Sequence, residues 1–204
     1  MGELAPILIG ISFAAGLNVY ATVATLGLLA RAEVLVLPPS LHVLESWPAI
    51  GACFVLFALE FIGDKIPVFD LIWNALHTFV RVPVAALLAY GATMQLSPEK
   101  QLASALLGGL IALAAHSGKT AVRVAVTPSP EPLSNISLSL GEDVLAVFLV
   151  WLATQHPYWA AAIALALLAV ILIFAGFVLR SLRGLLCGAE RVLTGEGAGS
   201  RPVA

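Results

Sequence analysis

Charge is scarce in this sequence. Aspartate, glutamate, lysine and arginine make up 11% of its 204 residues, and 60% of the residues are hydrophobic. A soluble domain carries about 25% charged residues, so the composition excludes an ordinary soluble protein. The mean hydropathy of +1.01 points the same way. We therefore expect an all-α integral membrane protein, because a helix satisfies its own backbone hydrogen bonds inside a bilayer.

Several chemical signatures are missing as well. The two cysteines, Cys53 and Cys187, are too few and too far apart for a disulfide framework or a thiolate metal site. No basic run is interleaved with aromatic residues, so nucleic acid is not an expected partner. The GxSxG and HExxH motifs of hydrolases and zinc proteases are absent. We expect no cofactor, assign no metal site, and do not favour an enzyme.

Long apolar runs fill most of the chain. A helix needs about 20 apolar residues to cross a bilayer. The predicted spans are 5–29, 48–66, 82–97, 102–122, 142–156 and 158–180. The third and fifth are short, and each follows an amphipathic stretch that can lengthen the same helix. The prediction is therefore one transmembrane domain of about six spans over residues 1–182, followed by a cytoplasmic tail over 183–204 with an amphipathic part and a disordered end.

Lysine and arginine near the ends of spans predict the orientation. With six spans, one side of the membrane receives Arg31 and Lys100, and the other receives Lys65, Arg81, Lys119, Arg123, Arg180, Arg183 and Arg191. The richer side is expected to be cytoplasmic, which places both termini in the cytoplasm. A cleaved signal peptide is not expected, because Glu3 occupies the region that should be positive and the apolar run continues too far.

One segment, residues 56–83, is far more polar than its surroundings. Its ionisable residues are Glu60, Asp64, Lys65, Asp70, His77 and Arg81. Proline is favoured at the first helical position, so a helix is predicted to begin at Pro67. Such a helix aligns Asp70, Asn74, His77 and Arg81 on one face, at spacings of four, three and four.

The second half of the chain has a similar arrangement. His116, Lys119 and Arg123 share one helical face at the end of the fourth span. After Pro132, Asn135 and Glu142 share another face, with Asp143 adjacent. Short sequence echoes between spans two to three and spans four to five suggest a parallel internal repeat.

The first span carries its own polar residue, Asn18, with Thr22 on the same face. Asparagine and threonine either hydrogen bond between helices in a bilayer, at about 1 kcal/mol each, or line a pore. The sequence leaves both alternatives open.

Charges inside a bilayer cost about 3 kcal/mol each on insertion scales, so they pair or face a water-filled cavity. One interpretation is a network of ion pairs that only holds helices together. The other is a polar cavity, open to the cytoplasm, that binds a solute, an ion or a proton; histidines can change charge there near neutral pH. The candidate binding or pathway residues are Asn18, Glu60, Asp64, Lys65, Asp70, Asn74, His77, Arg81, His116, Lys119, Arg123, Asn135, Glu142 and Asp143.

Three functions fit these observations. The first hypothesis is a transporter or channel for a small polar or anionic solute, with proton coupling as one option. The second is a membrane-embedded enzyme that acts on a lipid phosphate through a divalent cation bound by Asp64, Asp70, Glu142 and Asp143. The third is a non-catalytic scaffold subunit. The lipid bilayer is an expected partner, and the many glycine and alanine positions would also allow a homo-oligomer.

Four polar segments together resemble a known family, the bacterial membrane proteins called domain of unknown function 4126. The segments are GLNVYAT (16–22), GDKIPVFDLIWNALHTFVRVP (63–83), HSGKTAVR (116–123) and SPEPLSNISLSLGEDVLAV (129–147). The resemblance covers about residues 10–180 and implies a multi-span protein of the bacterial inner membrane, without an activity, substrate or catalytic residue. Two positions depart from the pattern, Val19 where proline is usual and Asn74 where a carboxylate is usual, so the resemblance implies no ligand role at position 74.

Overall fold

A computed structural model describes the backbone over residues 2–63, 67–126 and 132–193, and the side chains over the same ranges except 67–72, 74, 124–126, 132–135, 178–179 and 181–193. The regular elements in these ranges are all helical. They are α1 (Leu4–Leu17), α2 (Val19–Arg31), a 3₁₀ helix (Pro39–Glu45), α3 (Trp47–Gly63), α4 (Pro67–Ala92), α5 (Pro98–Val126), α6 (Pro132–Gln155) and α7 (Pro157–Leu193). The all-α prediction is confirmed for the described part of the chain.

Within the described ranges, four helices are long and apolar enough to cross a membrane. Their apolar segments are Ala75–Ala92, Pro98–Arg123, Ile136–Gln155 and Pro157–Phe177. The 3₁₀ helix and α3 form a fifth candidate, bent by 63° between its two parts. The predicted count of six spans is therefore not confirmed, whereas a multi-pass membrane protein is supported.

The helices α4, α5, α6 and α7 each begin at a proline. Proline suits the first turn of a helix because its missing N–H would have no partner there. The start at Pro67 agrees with the prediction, and α4 and α6 include the amphipathic stretches that precede the short third and fifth runs. The helix α7 continues to Leu193, so the predicted domain boundary at residue 182 falls inside a helix.

Contacts divide the chain into one unit that ends at Leu168 and another that begins at Ala169. The helices α1 to α6 all belong to the first unit, and so do all the site residues described below. The disordered end that was predicted for the tail falls within residues 194–204, which lie outside the described residues.

Residues 5–29, predicted to be one span, are two short helices that double back. A cavity of about 190 Å³ is lined by Leu4 and Leu8 near the start of α1, by Leu26 near the end of α2, and by Leu88 and Ala92 near the end of α4. The start of α1 and the end of α2 therefore lie near the same end of α4. We call α1, Asn18 and α2 the N-terminal hairpin, and Leu17 with Asn18 its tip. Each arm is about 20 Å long, short of the roughly 30 Å of a bilayer core.

The chain doubles back because the helix is interrupted at Asn18. Its backbone is extended, with φ −148° and ψ 106°. Its side-chain Oδ1 accepts a hydrogen bond from the N–H of Ala21 at 2.9 Å, and its carbonyl oxygen accepts one from Thr22 Oγ1 at 2.8 Å. Asparagine is a favoured N-cap for this reason, so Asn18 both ends one helix and starts the next.

The N-terminal hairpin is packed inside the helical bundle. Its first arm, α1, contacts α4, α5 and α6, and its second arm, α2, contacts α3 and α6. Small residues allow the close approach: a Cβ atom on Gly16 would lie 2.5 Å from the carbonyl oxygen of Ala112 and 2.7 Å from the Cβ of Ala115. Helix contacts in membranes commonly use small residues in this way. The bundle thus surrounds the hairpin tip with protein.

Candidate functional site

The hairpin tip is held by two polar side chains from other helices. Lys119 on α5 donates a hydrogen bond from Nζ to the carbonyl oxygen of Leu17 at 3.1 Å, and Asn18 donates one from Nδ2 to Oδ1 of Asp143 on α6 at 2.9 Å. Carbonyl groups at the C-terminal end of a helix lack intrahelical partners and attract cations. The tip therefore provides both a cation-binding carbonyl and an amide to the surrounding helices.

Charged side chains from α3, α4, α5 and α6 surround this tip. We call the set the buried charged cluster: Glu60, Arg81, Lys119, Arg123, Glu142 and Asp143. Their exposed fractions are 0%, 0%, 4%, 2%, 9% and 5%, respectively. Ionised residues are almost never this buried unless they are paired.

The cluster forms a row of alternating charges. Arg81 donates a hydrogen bond from Nη2 to Oε1 of Glu60. The ammonium of Lys119 lies 3.5 Å from the same oxygen and 3.3 Å from Oε2 of Glu142. Arg123 donates to that Glu142 oxygen from Nη2 at 2.7 Å and from Nε at 3.3 Å. One row of ion pairs therefore joins four helices.

The formal charges of the cluster balance. Its three cations are two guanidinium groups and one ammonium group, and its three anions are carboxylates. In a medium of low dielectric constant an unbalanced charge is very costly. Balance explains how so many ionised groups can be buried together.

His116 extends the row beyond Arg81. Arg81 donates a hydrogen bond from Nη1 to Nδ1 of His116 at 2.6 Å. Because a guanidinium has no acceptor, Nδ1 must carry the lone pair, and a neutral imidazole then holds its hydrogen on Nε2. His116 is therefore a neutral partner of Arg81 in this arrangement.

In the ion pair of Glu60 and Arg81, one buried atom on each side chain has no hydrogen-bond partner among the described residues: Oε2 of Glu60 and Nε of Arg81. Buried polar atoms are nearly always hydrogen bonded, and each exception needs an explanation, such as a catalytic role or a bound water or ion. Both atoms belong to the same ion pair. This pair is therefore a point in the cluster where a further group could bind.

His77 lies one turn before Arg81 on α4, in a different network. Its Nδ1 donates to the carbonyl oxygen of Trp73 at 2.8 Å, and its Nε2 is 3.0 Å from the hydroxyl of Tyr20 on α2. With the hydrogen on Nδ1, a neutral His77 accepts a hydrogen bond from Tyr20. The imidazole thus links α4 to the N-terminal hairpin rather than to the charged row.

The structure brings most of the described candidate residues together. Asn18, Glu60, Arg81, His116, Lys119, Arg123, Glu142 and Asp143 are joined by the contacts above, and His77 lies beside them. Asp64 and Lys65 lie outside the described residues, and so do the side chains of Asp70, Asn74 and Asn135, although their backbones belong to α4 and α6. The predicted polar face of α4 is thus described only at His77 and Arg81, which are both buried.

Sequence reasoning missed two members of the site, Tyr20 and the carbonyl oxygen of Leu17. Tyr20 is two residues from Asn18, which on one continuous helix would place the two on different faces. The Leu17 carbonyl gives no signal in a sequence, because it becomes available only where the helix is interrupted.

A metal site gains no support from the described residues. No three side chains of histidine, cysteine, aspartate or glutamate are grouped there as metal ligands would be. The lipid-phosphate hypothesis also requires Asp64 and Asp70, whose side chains the structure does not describe.

Comparison with known proteins gives one match. The model of the family described as "Domain of unknown function (DUF4126)" matches residues 6–176. This range contains every residue of the cluster and all of the N-terminal hairpin except Leu4 and Ala5. No curated protein and no solved structure matches the chain.

Proposed function

The chain belongs to the DUF4126 family, and on that premise we propose that it is a transporter or channel of the bacterial inner membrane. Its solute is small and polar or anionic, and the path includes the buried charged cluster. The family description assigns no activity or solute, so the proposal depends on the residues of this chain.

The observation that carries the proposal is the meeting of an interrupted helix with the cluster. Non-helical backbone at membrane depth is tolerated only where protein buries it or where it lines a water-filled cavity. Transporters commonly bind substrate and coupling ions at the ends of such half-helices. Here the end of α1 contacts Lys119, and the start of α2 contacts Asp143 through Asn18.

The depth of the cluster supports a role beyond pairing. At about 1.5 Å per residue, Glu60 lies about 20 Å along α3 from Trp47, and Arg81 lies about 17 Å along α4 from Ala92. If Trp47 and Ala92 mark one edge of an apolar core about 30 Å thick, Glu60 lies about 10 Å and Arg81 about 13 Å inside the other edge. Ionisable residues at such depth are rare and usually mark ion or substrate pathways.

The proposal includes an orientation, which the charges and the N-terminal hairpin support. If α3 to α7 cross the membrane and the hairpin does not, the start of α1 and the end of α7 lie on opposite sides. The side with the excess of lysine and arginine is the cytoplasm, so α7 ends there and the hairpin enters from the outside. The N-terminus is then external, where six spans would have placed it in the cytoplasm.

Reconstitution tests the proposal. The full chain in vesicles of phosphatidylethanolamine and phosphatidylglycerol should take up radiolabelled small anions faster than empty vesicles. Replacing a cluster cation, Arg81→Ala or Lys119→Ala, should abolish uptake, and Lys100→Ala is the matched control because Lys100 is exposed. Uptake that stays at the normal rate in both cluster variants would refute the proposal.

A scaffold function is the second candidate, because the row of ion pairs could simply hold four helices together. Buried ion pairs can often be replaced by apolar residues without loss of stability. The two functions therefore differ in what happens when an entire pair is removed, as described in the Discussion.

A further inference from the structure

The carboxylates of Glu60 and Glu142 make similar contacts but differ in two respects. Each uses one oxygen to meet two cations: Glu60 meets Arg81 and Lys119, and Glu142 meets Lys119 and Arg123. The Glu142 side chain is 10% exposed, whereas that of Glu60 is fully buried. The second oxygen of Glu60 also has no hydrogen-bond partner among the described residues. A proton can therefore bond to Oε2 of Glu60 without displacing any contact of the cluster.

The balance of charge limits what the cluster can bind. Counted over the residues that the structure describes, its three cations and three anions leave no net formal charge to attract an incoming anion. An added anion would leave one uncompensated negative charge in a medium of low dielectric constant, which is very costly. One proton added with each monovalent anion returns the formal charge to zero.

We infer that Glu60 is the proton acceptor of this site, and that the cluster takes up one proton together with one small monovalent anion, which binds at Arg81. The proton bonds to Oε2 of the Glu60 carboxylate and makes a neutral carboxylic acid. The anion is bound and released without any change in its covalent bonds. The inference rests on the proposed transport function and specifies its coupling and its class of solute.

Protonation of Glu60 removes the negative charge that balances Arg81. Lys119 keeps its contacts with Glu142 and with the Leu17 carbonyl. Among the described residues, Arg81 would keep a hydrogen bond only to the neutral His116 and would lose its one anionic partner. The anion therefore binds at Arg81 rather than at Lys119.

The guanidinium geometry selects the kind of anion. Nε and Nη2 lie on one edge of the group, and this edge fits two oxygens of a planar oxyanion through parallel hydrogen bonds. In Arg81, Nη2 contacts Glu60, and Nε has no hydrogen-bond partner among the described residues. Formate, acetate and nitrate match this edge, whereas chloride has only one acceptor atom and cannot form the two parallel hydrogen bonds.

Several charged groups lie near the carboxyl of Glu60. Arg81 on α4 and Lys119 on α5 contact it directly, and Glu142 and Asp143 on α6 lie beyond Lys119. The charged groups around this carboxyl therefore come from α4, α5 and α6.

Uptake of nitrate into the vesicles described above tests the coupling, because nitric acid is too strong an acid to cross the bilayer unaided in its neutral form. An inward proton gradient should drive about tenfold accumulation per pH unit, because each anion enters with one proton. A membrane potential set with potassium and valinomycin should have no effect. In Glu60→Gln, accumulation should no longer follow the proton gradient and uptake should respond to the potential. Glu99→Gln, an exposed carboxylate at the start of α5, should behave like the unchanged protein.

A binding measurement keeps the inference testable if Glu60→Gln does not fold. The unchanged protein in weakly buffered detergent should take up one proton for each formate bound, and nitrate should give the same ratio. Uptake that responds to the potential, or binding without a proton, would overturn the inference and leave transport standing. Proton-linked binding without flux would support the inference and reject transport, and absence of both binding and flux would overturn both.

Discussion

Lys119 donates a hydrogen bond to the carbonyl oxygen of Leu17, 102 positions earlier in the chain, and at the same time contacts Glu60 and Glu142. One ammonium group thus joins the end of α1 to carboxylates on α3 and α6. The relationship connects the interruption of the N-terminal hairpin directly to the charges of the bundle. Each of the following predictions depends on it or on the packing that makes it possible.

Replacing Lys119 by methionine, a side chain of similar length, should destabilise the protein. Glu60 and Glu142 would lose a shared cation while they remain buried, and removal of one partner of a buried ion pair costs about 3 to 5 kcal/mol. Thermal unfolding of the detergent-purified protein measures the change. Lys100→Met, at an exposed position, is the control, and an equal loss of stability in the two variants would contradict the prediction.

Asn18 should be separable into two roles by two substitutions. Asn18→Ala removes both the N-cap of α2 and the hydrogen bond to Asp143, whereas Asn18→Ser retains a capping oxygen and loses only the bond to Asp143. Loss of an N-cap costs about 1 kcal/mol. Alanine should therefore be the more destabilising of the two by about that amount in the same unfolding assay, and equal losses would argue against the capping role.

The close contact at Gly16 predicts a size limit at the hairpin tip. A Cβ atom there would meet backbone and Cβ atoms of α5 that cannot easily move, so Gly16→Ala should cost about 1 to 3 kcal/mol. Gly51→Ala on α3 is the matched control, because a Cβ atom at Gly51 meets nothing within 4 Å. Unchanged thermal stability of Gly16→Ala would show that the hairpin is not packed this closely.

The external N-terminus can be tested by labelling. In a Cys53→Ala and Cys187→Ala background, Glu3→Cys should react with a membrane-impermeant maleimide added outside intact cells. Arg180→Cys should react only after the membrane is opened, because the proposed end of α7 is cytoplasmic. Protection of Glu3→Cys in intact cells, with labelling after permeabilisation, would favour a hairpin that crosses the membrane.

Removal of a complete ion pair separates transport from a scaffold role. The double variant Glu60→Leu and Arg81→Leu leaves no unpaired charge from that pair, so it should remain folded and retain most of its thermal stability. Under the transport proposal the folded double variant should show no anion uptake. If a folded double variant transported at the normal rate, the pair would have only a structural role.

Much of the fold could be predicted from local patterns. Helix α4 begins at Pro67 and continues through the polar stretch, because proline fits the first turn and the following residues keep a helical period. The same helical period places His116, Lys119 and Arg123 on one face of α5. Such features depend only on residues a few positions apart, so the sequence contains the information needed to predict them.

The N-terminal hairpin could not be predicted in this way. The run from residue 5 to residue 29 has the length and the hydrophobicity of a single span, and Asn18 is compatible with a continuous helix. Hydropathy does not distinguish a crossing helix from two half-length helices buried in protein. For this reason the predicted count of six spans is not confirmed.

The sequence by itself determined that the protein is helical and resides in a membrane, since apolar backbone without water must satisfy its hydrogen bonds within each segment. It also determined which ionisable residues had to find partners. Only the tertiary structure decided that Lys119 meets Leu17, that Glu60 shares its oxygen between two cations, and that His116 accepts from Arg81. These contacts join residues 21 to 102 positions apart, and their formation depends on helix packing, which no local pattern of residues specifies.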